Sequence, residues 1–162
     1  MSKIKLSILL LISYSLLSCS INSKQPKKIS FSIDYIGGGL QGVLLKNSLQ
    51  SYLVSADMYD EYSKLKIRSS IEHVDDLFIT NIDNTSDRYR ISSTLINEIY
   101  DNYNNCIVYQ QSEEISQTYV FASNSKFISN STATEKIKSN NINELIKLFI
   151  NDLQKNELKC IK

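Results

Sequence analysis

Ile29-Ser30-Phe31-Ser32-Ile33-Asp34-Tyr35-Ile36-Gly37-Gly38-Gly39-Leu40-Gln41-Gly42 is the stretch on which the fold turns. Ile29, Phe31, Ile33 and Tyr35 alternate with Ser30, Ser32 and Asp34, the period of a strand with one buried face. All four glycines of the protein follow, between Gly37 and Gly42. Beyond them Leu40, Val43, Leu44, Leu45, Leu49, Tyr52 and Leu53 recur at spacings of three and four. That spacing predicts a helix of about three to four turns, ending near Ser55 to Tyr62.

Strand, glycines and helix in this order also match G-x-G-x-x-G, whose backbone can approach a pyrophosphate at a helix N-terminus. A dinucleotide fold then needs a second buried parallel strand ending in an acidic residue about twenty positions on. Asp57 stands there, inside Ser55-Ala56-Asp57-Met58-Tyr59-Asp60, which reads as a loop or helix end. The second half of such a fold is missing. The glycines are read as a tight turn before the helix, and no cofactor is expected.

Toward the C-terminus, Leu65, Ile67, Ser69 and Ile71 alternate again, with Lys64, Lys66 and Arg68 on the other face. Leu77 to Ile82 is less regular and either extends or pairs with that strand. Tyr89, Ile91, Ser93 and Leu95 make a third alternation. Asp101-Asn102-Tyr103-Asn104-Asn105 is rich in residues that tolerate left-handed backbone, a hairpin signal. Cys106 to Gln110 starts the returning strand, which is continued toward Tyr119-Val120-Phe121-Ala122. Finally Ile142, Leu145, Ile146, Phe149 and Leu153 form one helical stripe. Asn141 with Glu144 resembles a capping box and offers one start. Ala133 and Ile137 continue a sparser stripe backward, so one long helix from about Thr132 to Lys155, bent near Asn140-Asn141, is predicted. Its burial should centre on Leu145, Ile146, Phe149 and Leu153. The element order predicts an α+β fold: a two-layer sandwich with an about four-stranded, mostly antiparallel sheet and two helices packed on one face.

Toward the N-terminus, Lys3 and Lys5 precede an apolar run from Leu6 to Leu17, and Leu16-Leu17-Ser18-Cys19 forms a small-residue cleavage site with cysteine directly after it. Residues 1–18 therefore read as an export signal. The run is about twelve residues, short of the roughly twenty that span a bilayer core. A thiol at the first mature position can carry a diacylglycerol, so Cys19 is the predicted lipid attachment point. The plainer alternative is a secretory signal with a chance cysteine. Residues 19–28, polar, basic and holding the single proline Pro26, read as a flexible tether, and 29–162 as one domain. Ser20 in place of an aspartate leans toward the outer membrane.

The signal carries two of the eighteen basic residues and none of the seventeen acidic ones, leaving a formal charge of −1 on the exported part. Near-neutral charge argues against nucleic acid, whose binding needs clustered cations. Of the cysteines left after export, Cys106 and Cys160 either pair in an oxidising compartment or stand as a small strand residue and a tail residue. His73, the only histidine, is flanked by Glu72, Asp75 and Asp76 and reads as a solvated acidic turn. No metal site and no nucleophile with a base is evident around it, so no enzymatic activity is expected. Arg88 and Arg90 bracket Tyr89 at the start of the third strand, and Lys126 and Lys136 surround the last strand-to-helix junction. These four are the candidate phosphate-binding cations; ordinary strand-edge charge is the alternative.

In this order the lipobox ending at Cys19, the extended segment and helix from Ile29 to Leu53, Asp87-Arg88-Tyr89-Arg90-Ile91, the hairpin at Asp101 to Asn105, and Tyr119-Val120-Phe121-Ala122-Ser123 before a long helix resemble the LPS-assembly lipoprotein family (LptE-type). The likeness spans nearly all of the exported chain. It departs in the polar stretch Gln110 to Gln117 and in having no long tail after the last helix. The resemblance implies a lipid-anchored, palmitate-bearing lipoprotein on the periplasmic face of the outer membrane. It implies a non-catalytic plug and assembly partner of the LptD barrel in lipopolysaccharide transport. Lipopolysaccharide would then meet Arg88, Arg90, Lys126 and Lys136. The alternative role is an auxiliary lipoprotein subunit of another envelope lipid-transport or secretion complex.

Overall fold

A computed structural model describes residues 29–79, 88–120 and 127–161. The signal, the tether, residues 80–82 of the irregular segment and Lys126 lie outside the described residues. The elements are β1 (Ser32–Gly37), α1 (Gly39–Ser55), β2 (Leu65–Ile79), β3 (Arg88–Asp101), β4 (Cys106–Val120) and α2 (Phe127–Leu153). The strands form one sheet in the order β1-β2-β3-β4. β1 runs parallel to β2, while β2–β3 and β3–β4 are antiparallel. Both helices lie on one face, α1 against β1 and β2, α2 against β3 and β4, and they touch each other. The predicted α+β sandwich is therefore the observed one.

The glycines act where β1 hands over to α1. Gly38 has φ 111°, and a Cβ there would sit 2.6 Å from the Ile71 carbonyl oxygen, so only glycine fits. A Cβ on Gly42 would come 2.7 Å from the Gly37 carbonyl oxygen, which lets the first turn of α1 lie directly on the strand end. α1 stops after Ser55, where Asp57 turns left-handed at φ 57° and the Met58 N–H donates to the Leu53 carbonyl over 2.8 Å. The β3–β4 hairpin closes as expected. The Asp101 carboxylate accepts the N–H of Tyr103 at 2.8 Å and of Asn104 at 3.2 Å, and Asn105 supplies the left-handed residue at φ 52°.

The core lies between the layers. Leu45, Leu49 and Leu53 of α1, Ile67 and Ile71 of β2, Leu95 and Ile99 of β3, and Ile142, Leu145, Ile146, Phe149 and Leu153 of α2 are all buried in it. The expected centre of burial on α2 is confirmed. Three expectations are corrected. The stretch around His73 is not a turn but the middle of β2, laddered to β3 from Leu65 to Ile79. The alternation of β1 breaks at the register shift between Ile33 and Tyr35, which leaves Tyr35 exposed, whereas α2 is the long helix predicted, running from Phe127 with Asn141 buried in its interior. Leu40, Val43 and Leu44, placed on the stripe of α1, are exposed. β4 is continuous through the polar Gln110 to Gln117.

Cys106 and Cys160 form a disulfide, with Cα atoms 5.6 Å apart. It fixes the segment after α2 against the outer edge of β4, where the Ile161 N–H donates to the Ile107 carbonyl over 2.8 Å. Leu158 of the same segment packs on the core.

Candidate functional site

Alternation along β3 decides where the candidate cations go. Ile91, Ser93, Leu95, Asn97 and Ile99 turn inward to the helices and are buried. Arg88 and Arg90 therefore stand on the opposite, open face of the sheet. Arg90 is paired across the ladder with Asp76 of β2 and Thr118 of β4, and Arg88 with Val120. Lys136 is an exposed residue of α2, in the helical layer. The two arginines share one surface, and Lys136 belongs to the other.

The open face is lined by polar and isolated apolar side chains, as expected of a mostly antiparallel sheet with one solvated side. Toward its β1 end the charges are internally matched. The Arg68 guanidinium donates to Asp34 at 2.9 Å and to Glu98 at 3.3 Å, and it lies 4.8 Å from the centre of the Tyr100 ring. Those bonds, Asp34 first, hold the guanidinium pKa above its usual value. A shallow depression of about 190 Å³, lined by Tyr35, Arg68, Ser70, Ile96 and Glu98, lies here. A larger one of about 520 Å³ opens where the chain enters β1, between Ile29, Lys64, Leu65, Val108 and Leu158. Its polar rim is engaged locally, Asp60 with the Tyr62 N–H at 3.0 Å and Lys64 over the Tyr103 ring at 4.4 Å.

Under α2 the sheet carries a polar seam that sequence reasoning missed. The Asn141 amide donates to Ser93 Oγ over 2.7 Å, and Ser93 Oγ lies 2.7 Å from His73 Nδ1. The Ser93 hydroxyl, which accepts from Asn141, either donates to Nδ1 or accepts from it according to the imidazole tautomer. Burial, with Lys138 nearby, lowers the His73 pKa, against a smaller opposing pull from Asp75 and Glu135. Lys138 in turn bridges to Asp75 at 2.9 Å and ties α2 to β2. Farther along, Ser69 Oγ donates to Asn97 Oδ1 over 2.6 Å. At the opposite end of α2, the buried Tyr109 hydroxyl donates to Asp152 at 2.7 Å; burial and that bond raise its pKa. Ser93 and Asn141 are wholly enclosed, and the seam ties α2 to the sheet.

Among the described residues no group of three or more His, Cys, Asp or Glu side chains could hold a metal ion, and no helix is long and apolar enough to cross a membrane.

No protein-family model matches the chain, and no curated protein matches it in sequence. Solved structures do match. Rare lipoprotein B from Shewanella oneidensis aligns with TM-score 0.63 at 8% identity, over 78% of this chain and 94% of that one. A minor lipoprotein from Acinetobacter baumannii aligns with TM-score 0.61 at 13% identity, over 83% of this chain and 97% of that one. At 8% and 13% identity the likeness is one of fold alone.

Proposed function

We propose that this chain is an outer-membrane lipoprotein that assists lipopolysaccharide assembly as a non-catalytic plug and partner of the LptD barrel. The observation that carries the reading is a lipidation signal ending at Cys19, set ahead of a domain with the fold of rare lipoprotein B. The Cys106–Cys160 bridge supports it independently, since disulfides persist in oxidising compartments outside the cytoplasm. A plug needs polar contacts with a hydrated barrel interior, and the open sheet face, bearing Ser92, Thr94, Ser112, Ser116 and Thr118, suits that role.

Lipopolysaccharide itself would be met on that face. Arg88 and Arg90 are the pair suited to its phosphates, each charge-assisted bond being worth about 1.5 to 3 kcal/mol. Lys136 would engage it only from the helical side, and Lys126 lies outside the described residues. Depletion tests the reading. Loss of surface lipopolysaccharide together with loss of correctly folded LptD is expected. Unchanged LptD with defects in another lipid-transport or secretion complex would instead favour the auxiliary-subunit role.

A further inference from the structure

α1 is apolar on two opposite sides. Leu45, Leu49 and Leu53 are buried against the sheet, while Leu40 (77% exposed), Val43 (54%), Val54 (57%) and Leu44 point to solvent. At about 100° per residue, Leu40, Val43, Asn47, Ser51 and Val54 form one row opposite the buried one. Lys46 is the only charged residue of the helix, and it lies to the side of that row. Leu148 of the neighbouring α2 is exposed as well. A solvated helix face ordinarily carries charge; this one carries aliphatic and small neutral side chains.

We propose that the outward row of α1 rests on the phospholipid surface of the membrane that holds the N-terminal anchor. The proposal goes beyond the barrel-partner reading and shares with it only the lipidation of Cys19. Chain length argues for lipid as the occupant. Nine residues, hence ten peptide steps, separate Cys19 from Ile29 and span at most about 36 Å. Ile29 directly precedes β1, on which α1 is packed, and α1 is itself only about 25 Å long. An anchored Cys19 thus keeps the whole row within reach of the leaflet. Contact then becomes intramolecular, and a modest apolar face suffices. Charge argues the same way. The row holds no acidic group to repel anionic headgroups, and Lys24, Lys27 and Lys28 of the tether are attracted to them.

The chain has no tryptophan, so introduced ones report alone. Val43→Trp and Val54→Trp mark the row, and Ser112→Trp marks the open sheet face. Full-length protein purified with its lipid is reconstituted into phosphatidylethanolamine/phosphatidylglycerol vesicles with and without brominated acyl chains. Flotation with the vesicles reports the anchor; quenching reports the helix. Tryptophan at 43 and 54 should be quenched about threefold more than at 112, as an apolar face sunk below the headgroups requires. Leu40→Glu with Leu44→Glu in the Val54→Trp background should abolish the excess. Equal quenching at the three positions in floating protein overturns the proposal and leaves the barrel role standing. Blue-shifted emission at 43 and 54 without bromine quenching also overturns it, since it would mean a protein covers the row. Failure to float removes the anchor on which both readings rest.

Discussion

Replacing Phe149 by Ala removes one of the two largest fully buried side chains, from the middle of the helix–sheet interface. Phe149 is 0% exposed, and its ring stands 5.8 Å from that of Tyr109 on β4. Truncating a buried Phe costs roughly 3 to 5 kcal/mol, transfer and cavity together. The cavity would open among Leu145, Ile146 and the sheet, in a two-layer fold with no third layer to move in and fill it. Small domains hold about 5 to 15 kcal/mol in all, so one truncation would consume a large share. At about 4 °C per kcal/mol for a chain of this size, the melting temperature should fall by about 12 to 20 °C. Leu148→Ala is the matched control, one residue earlier on the same helix but 45% exposed, and should cost under about 1 kcal/mol. Thermal unfolding by circular dichroism of the two variants decides the matter. Equal losses, or an unchanged melting temperature for Phe149→Ala, would show that this stripe does not form the core.

Cys160→Ser frees a closure of 54 residues and should lower stability by about 4 kcal/mol by loop entropy, read as a shifted urea midpoint that added reductant moves no further. His73 has a folded pKa below the usual 6.5, so the unfolded chain takes up the proton first as pH falls. Its contribution is complete above about pH 6.5 and is lost as pH drops through the folded value; His73→Gln should flatten the decline in stability as pH falls below about 6.5. Ser93→Ala strips the partner from both His73 and Asn141 and should cost about 1 to 3 kcal/mol in the same assay. Cys19→Ala should leave an unprocessed or soluble protein that no longer takes up a fatty-acid label; labelling as strong as wild type would contradict lipidation at that residue.

What the sequence revealed and what it hid divide along physical lines. α2 and the inner rows of β2 and β3 were legible because apolar side chains mark the buried face at the period of the element. The segment around His73 was not, because there the inward positions are His73 and Asp75, satisfied by Ser93 and Lys138 instead of by apolar contact. β4 was obscured for a related reason. Gln111, Glu113 and Gln117 are half-buried polar residues of a strand laddered to β3 throughout, so it carries little hydrophobic signal. Asn141 and Glu144 imitate a helix start, but Asn141 is drawn into the interior by its bond to Ser93, a tertiary partner 48 residues away. The candidate site fared likewise. Alternation alone puts Arg88 and Arg90 on one face, yet assigning Lys136 to the other layer requires knowing that α2 covers the opposite side. The disulfide depended wholly on three dimensions, since spacing cannot bring Cys106 and Cys160 together.

Affinity capture of the full-length, lipid-bearing protein from detergent-extracted envelope membranes tests the proposed barrel partnership most directly. One dominant co-purifying protein in about equal amount, the outer-membrane barrel LptD, is expected, released in parallel with the bait. Capture of inner-membrane transport subunits in place of a barrel, or of no stoichiometric partner from membranes that contain LptD, would contradict it.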